Sequence, residues 1–255
     1  MKKIKYTFLL VLMLFSFYLS DKVTDLAINK NPIMENIKSV SSAYYNSGEN
    51  AEIIDNTIIP GIKGSKINEK ESFFKMKEFG SFNETFLVYD KIKPEISLSD
   101  NLDKIIISGN KSKRQVSIII EDDDNLKKIL NKYNIKYNVL ANLKTKLENQ
   151  EYLNSEQDKT NFNDLESILK KNKINKNICI INYSNIEQCE NKRKYLVSPN
   201  IILTNSLIVK QKQNIENGSI ILINRNIKEE SIKIIINQIK YLDLNIVFLS
   251  KLITE

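Results

Sequence analysis

Val116-Ser117-Ile118-Ile119-Ile120-Glu121-Asp122-Asp123-Asp124 decides the fold: a near-continuous apolar run stops at four carboxylates, and a helical pattern from Asn125 to Asn134 follows directly. An apolar run without strict alternation fits a strand covered on both faces. Similar segments recur on either side. Ile105-Ile106-Ile107, ending at Gly109, precedes it, and strands are predicted at Tyr137 to Leu140, Ile178 to Asn182, Ile201 to Leu203, Ser219 to Ile223 and Asn245 to Leu249. Helices are predicted at Asp164 to Lys171 and Glu229 to Tyr241. This alternation predicts an α/β architecture of βα units around a parallel, doubly covered sheet or barrel. In such folds the chemistry gathers at the carboxyl ends of the strands, where Glu121 to Asp124 stand.

The N-terminus speaks for the compartment. Lys2, Lys3 and Lys5 precede an apolar run from Tyr6 to Leu19, the order of a secretory signal. Basic residues ahead of the run keep the N-terminus in the cytoplasm and send the rest outward. The run is shorter than the roughly 20 residues that span a bilayer comfortably. Tyr18 and Ser20 occupy positions where signal cleavage favours small side chains, so an uncleaved anchor through residues 4–20 is preferred over a secreted, cleaved product. Residues 21–50 are expected to be a polar stalk, although Asn31-Pro32 is a helix-start signal.

Residues 51–103 form a small α+β extension in this reading, with a β-like stretch at Glu52 to Ile59, a turn at Pro60-Gly61, a helix from Asn68 to Phe79 stopped by Gly80, and a strand at Phe86 to Tyr89. Phe73, Phe74, Phe79 and Phe82 are read as core rather than as a sugar-stacking surface. Residues 104–255 make the main domain.

The formal charge of +7 and the pI near 9.1 come from lysines scattered along the chain, not from a stripe. That pattern argues against nucleic acid and for an anionic envelope polymer or headgroup layer. Cys179 and Cys189 lie in the part expected outside the cell, where they either close a short loop or remain buried thiols. With no histidine in the chain, Ser-His and Cys-His nucleophiles are excluded, and the six separated glycines form no phosphate loop.

From about residue 105 to 255 the sequence resembles the polysaccharide deacetylase family, whose members remove acetyl groups from glycans on a deformed (β/α) barrel. The resemblance rests on Val116 to Asp122, where the family has a strand ending in two aspartates; on Lys132-Tyr133-Asn134-Ile135-Lys136-Tyr137-Asn138-Val139-Leu140; on Asn217-Gly218-Ser219-Ile220-Ile221-Leu222-Ile223-Asn224, like the late strand closing in a catalytic histidine; and on Leu244 to Leu252, with Leu-Ser-x-Leu opening the terminal helix. Ile58-Ile59-Pro60-Gly61 through Tyr89 is similar to the N-terminal extension of a divergent, envelope-associated subgroup.

The resemblance implies a vestigial site. Glu121 falls at the position of the base and Asp122 at that of the metal-ligand aspartate, while Asn224 replaces the late histidine. In active relatives an aspartate and two histidines hold the metal. Here the two-histidine motif expected between Leu140 and Asp164 is absent, and Ser198-Pro199-Asn200 marks the place of an Arg-Pro-Pro motif. No cofactor is expected. Asp122 and Asp123 are weak candidates for an all-oxygen site, against the competing reading that Asp123-Asp124-Asn125 caps a helix. The expectation is therefore an exported, membrane-tethered, non-catalytic deacetylase-like protein associated with envelope glycan. Its alternatives are a divergent hydrolase using Glu121 to Asp124 and an envelope protein-binding module. The sequence carries no signal of oligomeric state.

Overall fold

The computed structural model describes residues 2–174, 176–204 and 214–255. Two compact units divide the chain: one runs up to Gly48 and resumes at Lys63–Lys93, the other comprises Glu49–Ile62 and Pro94–Glu255.

The smaller unit begins with helix α1 (Lys2–Asn29) and helix α2 (Pro32–Ser41). Asn31 starts α2 by accepting the Ile33 N–H at 3.0 Å, with Pro32 in the first turn. Strand β1 (Asn46–Glu49) follows; after a segment that belongs to the larger unit come β4 (Ile62–Ile67), helix α3 (Glu69–Lys77, capped by Asn68) and β5 (Tyr89–Ile92). The sheet order is β1-β4-β5. Ile33, Met34 and Ile37 of α2 pack with Ile67, Phe73 and Met76 into one apolar cluster. The stretch 21–50, expected as a polar stalk, is thus helical or strand over most of its length and contributes three core residues. Phe73 is core as expected and packs beside Met76, whereas Phe74 and Phe79 are exposed, Phe79 stacking on Phe86 at 4.4 Å. In α1 the apolar residues from Val11 to Leu19 are exposed. Among the described residues no helix is long and apolar enough to cross a membrane, so the expected N-terminal span has no structural counterpart there; the side chains of residues 4–10 lie outside the described part.

The larger unit holds two sheets. One runs β10-β11-β6-β3-β2, built from β2 (Glu52–Ile54), β3 (Thr57–Ile59), β6 (Ile105–Ile106), β10 (Ile178–Ile180) and β11 (Tyr195–Val197). The other runs β12-β13-β7-β8-β9, from β7 (Gln115–Glu121), β8 (Asn138–Ala141), β9 (Glu151–Asn154), β12 (Ile201–Leu203) and β13 (Ile220–Ile223), with β14 (Asn245–Ile246) paired to the start of β7. Apart from the β2–β3 hairpin, every pairing in these sheets is parallel. Ile58, Ile106, Ile180 and Val197 of the first sheet and Ile119, Leu140, Leu153 and Leu222 of the second fill one interior.

On its other face β7 turns Val116, Ile118 and Ile120 toward helix α4 (Asp124–Lys132) and helix α7 (Glu229–Tyr241). Covering on both sides is what the unbroken run demanded. Among the described residues the other α-helices are α5 (Lys159–Lys171), α6 (Ile186–Asn191) and α8 (Leu249–Leu252).

The expected barrel is not closed. Among the described residues no strand pairing joins the two sheets, and the first sheet ends on its own hairpin, β2–β3, instead of meeting the second. The last predicted strand is also shorter than expected, because the chain turns at Phe248 to start α8. Leu249 and Leu252 then enter the interior. Register opposes Asn138 to Glu151, and these buried side chains hold the start of α8: Asn138 Oδ1 accepts the Leu249 N–H and Glu151 Oε2 the Ser250 N–H, each at 3.0 Å.

Candidate functional site

Parallel pairing of Ile120 with Ile223 and of Glu121 with Leu140 brings Asn224, Glu121 and the end of β8 to one level at the carboxyl edge of the sheet. The chain leaves β7 extended and enters α4 at once, because Asp123 Oδ1 accepts the Leu126 N–H at 2.9 Å. Asp123 therefore serves as a cap, and Asp124, with its side chain 91% exposed, faces solvent. Replacing Asp123 by Ala is expected to lower stability by about 1 kcal/mol, read as a shift of the urea midpoint without change of slope.

The other two acids turn inward, and each meets a cation of the chain. Asp122 Oδ1 pairs with the ammonium of Lys127, while its Oδ2 accepts the Thr145 hydroxyl at 2.7 Å. Lys127 Nζ is also 3.7 Å from Asp124, and only 11% of its side chain is exposed. Burial opposes the charge on Lys127, but the hydrogen bond to Asp122 and the charges of Asp122 and Asp124 outweigh it, holding the group above the usual lysine range. Glu121 Oε2 lies 2.9 Å from Arg225 Nε. Tyr183 stands in the field of Glu121: burial first, and then that charge, push its hydroxyl up. Asn224 Oδ1 is buried and, among the described residues, accepts no hydrogen bond. A cleft of about 410 Å³ opens here, lined by Asp122, Asp124, Lys127, Lys144 and Lys146 among others.

The residues do not suit the divalent metal of the deacetylase family. The chain has no imidazole to offer, and among the described residues no three His, Cys, Asp or Glu side chains are grouped to hold an ion. The oxygens of Asp122 are engaged by an ammonium and a hydroxyl, and Asp123 is engaged by its cap. Of the residues expected from sequence, Glu121, Asp122 and Asn224 do gather at one edge; Asp123 and Asp124 belong to the helix start.

Sequence reasoning missed Lys127, Thr145 and Arg225. Lys127 had a weak signal in its i,i+3 spacing from Asp124 at a helix start. Thr145 had none. Cys179 of β10 and Cys189 of α6 are joined in a disulfide, both fully buried beside Phe162 and Leu196. The spacing alone had left that pairing open.

No family model matches the chain. Over 102 residues it is 36% identical to the uncharacterized protein YlxY of Bacillus subtilis (strain 168), a match covering 39% of this chain and 31% of the length of YlxY. In three dimensions it is similar to the crystal structure of wild-type BA3943, described as a CE4 family pseudoenzyme from Bacillus anthracis, with a TM-score of 0.57, 16% identity, and coverage of 89% of this chain and 96% of that one. A BA3943 mutant described as having restored enzymatic activity matches with the same TM-score, 17% identity and coverage of 88% and 99%. The fold is thus a divergent form of the CE4 deacetylase fold, as the strand-end resemblance implied.

Proposed function

We propose that this chain is a non-catalytic deacetylase-like protein, exported and tethered by its N-terminal apolar run, whose strand-end cleft binds neutral, hydroxyl-rich glycan of the cell envelope. One observation carries the reading. The two carboxylates at the positions of base and metal ligand are each paired with a cation of the chain, Glu121 with Arg225 and Asp122 with Lys127. Asp122, engaged by both an ammonium and a hydroxyl, has little left to offer a metal, and the chain has no imidazole to complete the ligand set. Balanced charges leave hydrogen-bonding groups with little net field, which suits hydroxyl and acetamido groups better than a polyanion. The basic-then-apolar N-terminus and the Cys179–Cys189 disulfide support export to an oxidising space. BA3943, described as a pseudoenzyme and similar in fold, supports the non-catalytic part.

Incubated with acetylated peptidoglycan or chitooligosaccharide and millimolar Zn²⁺, Co²⁺ or Mn²⁺, the full chain is expected to release no acetate above the blank. It is also expected to co-sediment with insoluble peptidoglycan. Metal-dependent release abolished by Glu121→Gln and Asp122→Asn would establish the hydrolase alternative instead. Failure to co-sediment, with envelope proteins recovered in its place, would establish the protein-binding one.

A further inference from the structure

The first turn of α4 folds Lys127 back over the end of β7, as helical side chains lean toward the helix N-terminus. Its ammonium rests on Asp122 Oδ1 and reaches to 3.7 Å from Asp124, while the Thr145 hydroxyl occupies Asp122 Oδ2. The stem is packed, and the group is largely withdrawn from solvent. One strand away, Arg225 neutralises Glu121.

We infer that Lys127 is the permanent cation of this acidic edge, seated on the carboxylate a divalent metal would need, and that it keeps the cleft closed to metal. A diffusing ion must displace a group fixed to the same helix, and covalent attachment keeps that competitor at an effective concentration set by the chain, not by the medium. It must also approach the fixed positive charge of Lys127 at short range, in surroundings less screening than water. Asp122 is then a clamp between the start of α4 and the loop carrying Thr145, not a vacant ligand. This deepens the non-catalytic reading and rests on it only for the role of the cleft. The test reads metal occupancy, so either reading can fail without the other.

The full chain is titrated with Mn²⁺ and the free ion is followed by its EPR signal. Wild type is expected to remove no ion in a saturable way. Lys127→Met, which keeps the volume and loses the charge, is expected to bind one ion at least tenfold more tightly than wild type, in the range of weak all-oxygen sites, about 10⁻⁴–10⁻³ M. Adding Asp122→Asn to that variant should abolish the gain. Circular dichroism confirms the fold, and Lys127→Gln serves as a second variant if Met is poorly tolerated. Saturable uptake by wild type that Asp122→Asn removes overturns the inference. So does a folded Lys127→Met or Lys127→Gln protein as indifferent to Mn²⁺ as wild type.

Discussion

Lys194→Ala is expected to cost about 3–5 kcal/mol of stability, the scale found when one partner of a buried ion pair is removed. Lys194 Nζ lies 2.7 Å from Glu166 Oε2, with only 4% and 8% of the two side chains exposed. Lys194 also donates to the Lys176 carbonyl at 3.2 Å, and Glu166 Oε1 accepts from Asn154 Nδ2 at 3.3 Å. Burial pushes the Lys194 ammonium below its ordinary range, and the hydrogen bond and charge of Glu166 recover only part of that. The variant removes the cation bonded to Glu166 Oε2 while the carboxyl group stays buried, which is the expensive half of the exchange. Removing both charges at once, as Lys194→Met with Glu166→Leu, is expected to be close to neutral. Urea unfolding of the two variants separates the cases. A loss below about 1 kcal/mol in Lys194→Ala, the ordinary worth of a surface pair, would mean that water reaches this one.

The second large effect is expected at the disulfide. Cys179 and Cys189 are 10 positions apart, and closing a loop of that size restricts the unfolded chain by roughly 2.5–3 kcal/mol in the chain-entropy account. Cys179→Ala with Cys189→Ala should therefore unfold on the order of 5–10 °C below wild type. Reductant added during the melt should bring wild type down toward the variant and leave the variant unmoved. Equal melting of both proteins under oxidising conditions would show that the cross-link adds nothing to the packing around Phe162.

Sequence legibility followed local pattern. Helix α7 was legible to the residue because Ile232, Ile235, Ile236 and Ile239 recur on one face, and all four are buried in the larger cluster. Strand β7 was legible because a run covered on both faces has no polar interruption beyond Ser117. Strand β9 was not, since it begins with Glu151 and ends with Asn154. Both are buried, and each is held by a partner far along the chain or on the next helix: Glu151 Oε2 accepts the Ser250 N–H and Asn154 Nδ2 donates to the Phe162 carbonyl. No local pattern announces such a partner. Barrel closure was equally invisible, because whether two edges pair depends on where separate strands end.

At the site, the acids could be found because they follow a strand. The cations that neutralise them were hidden among 38 lysines and arginines, and nothing local distinguishes Lys127 or Arg225 from the rest. Asn224 stands directly after β13, but that its oxygen is buried without a hydrogen bond among the described residues follows only from the surrounding packing.

The anchoring of α8 by Asn138 and Glu151 bears on how the molecule is made. A ribosome delivers β8 and β9 about a hundred residues before Leu249 and Ser250, whose amides those two side chains await. Without α8 those two side chains lose the amides they hold and the interior loses Leu249 and Leu252, so the native packing of β8 and β9 waits on a segment about a hundred residues further along the chain.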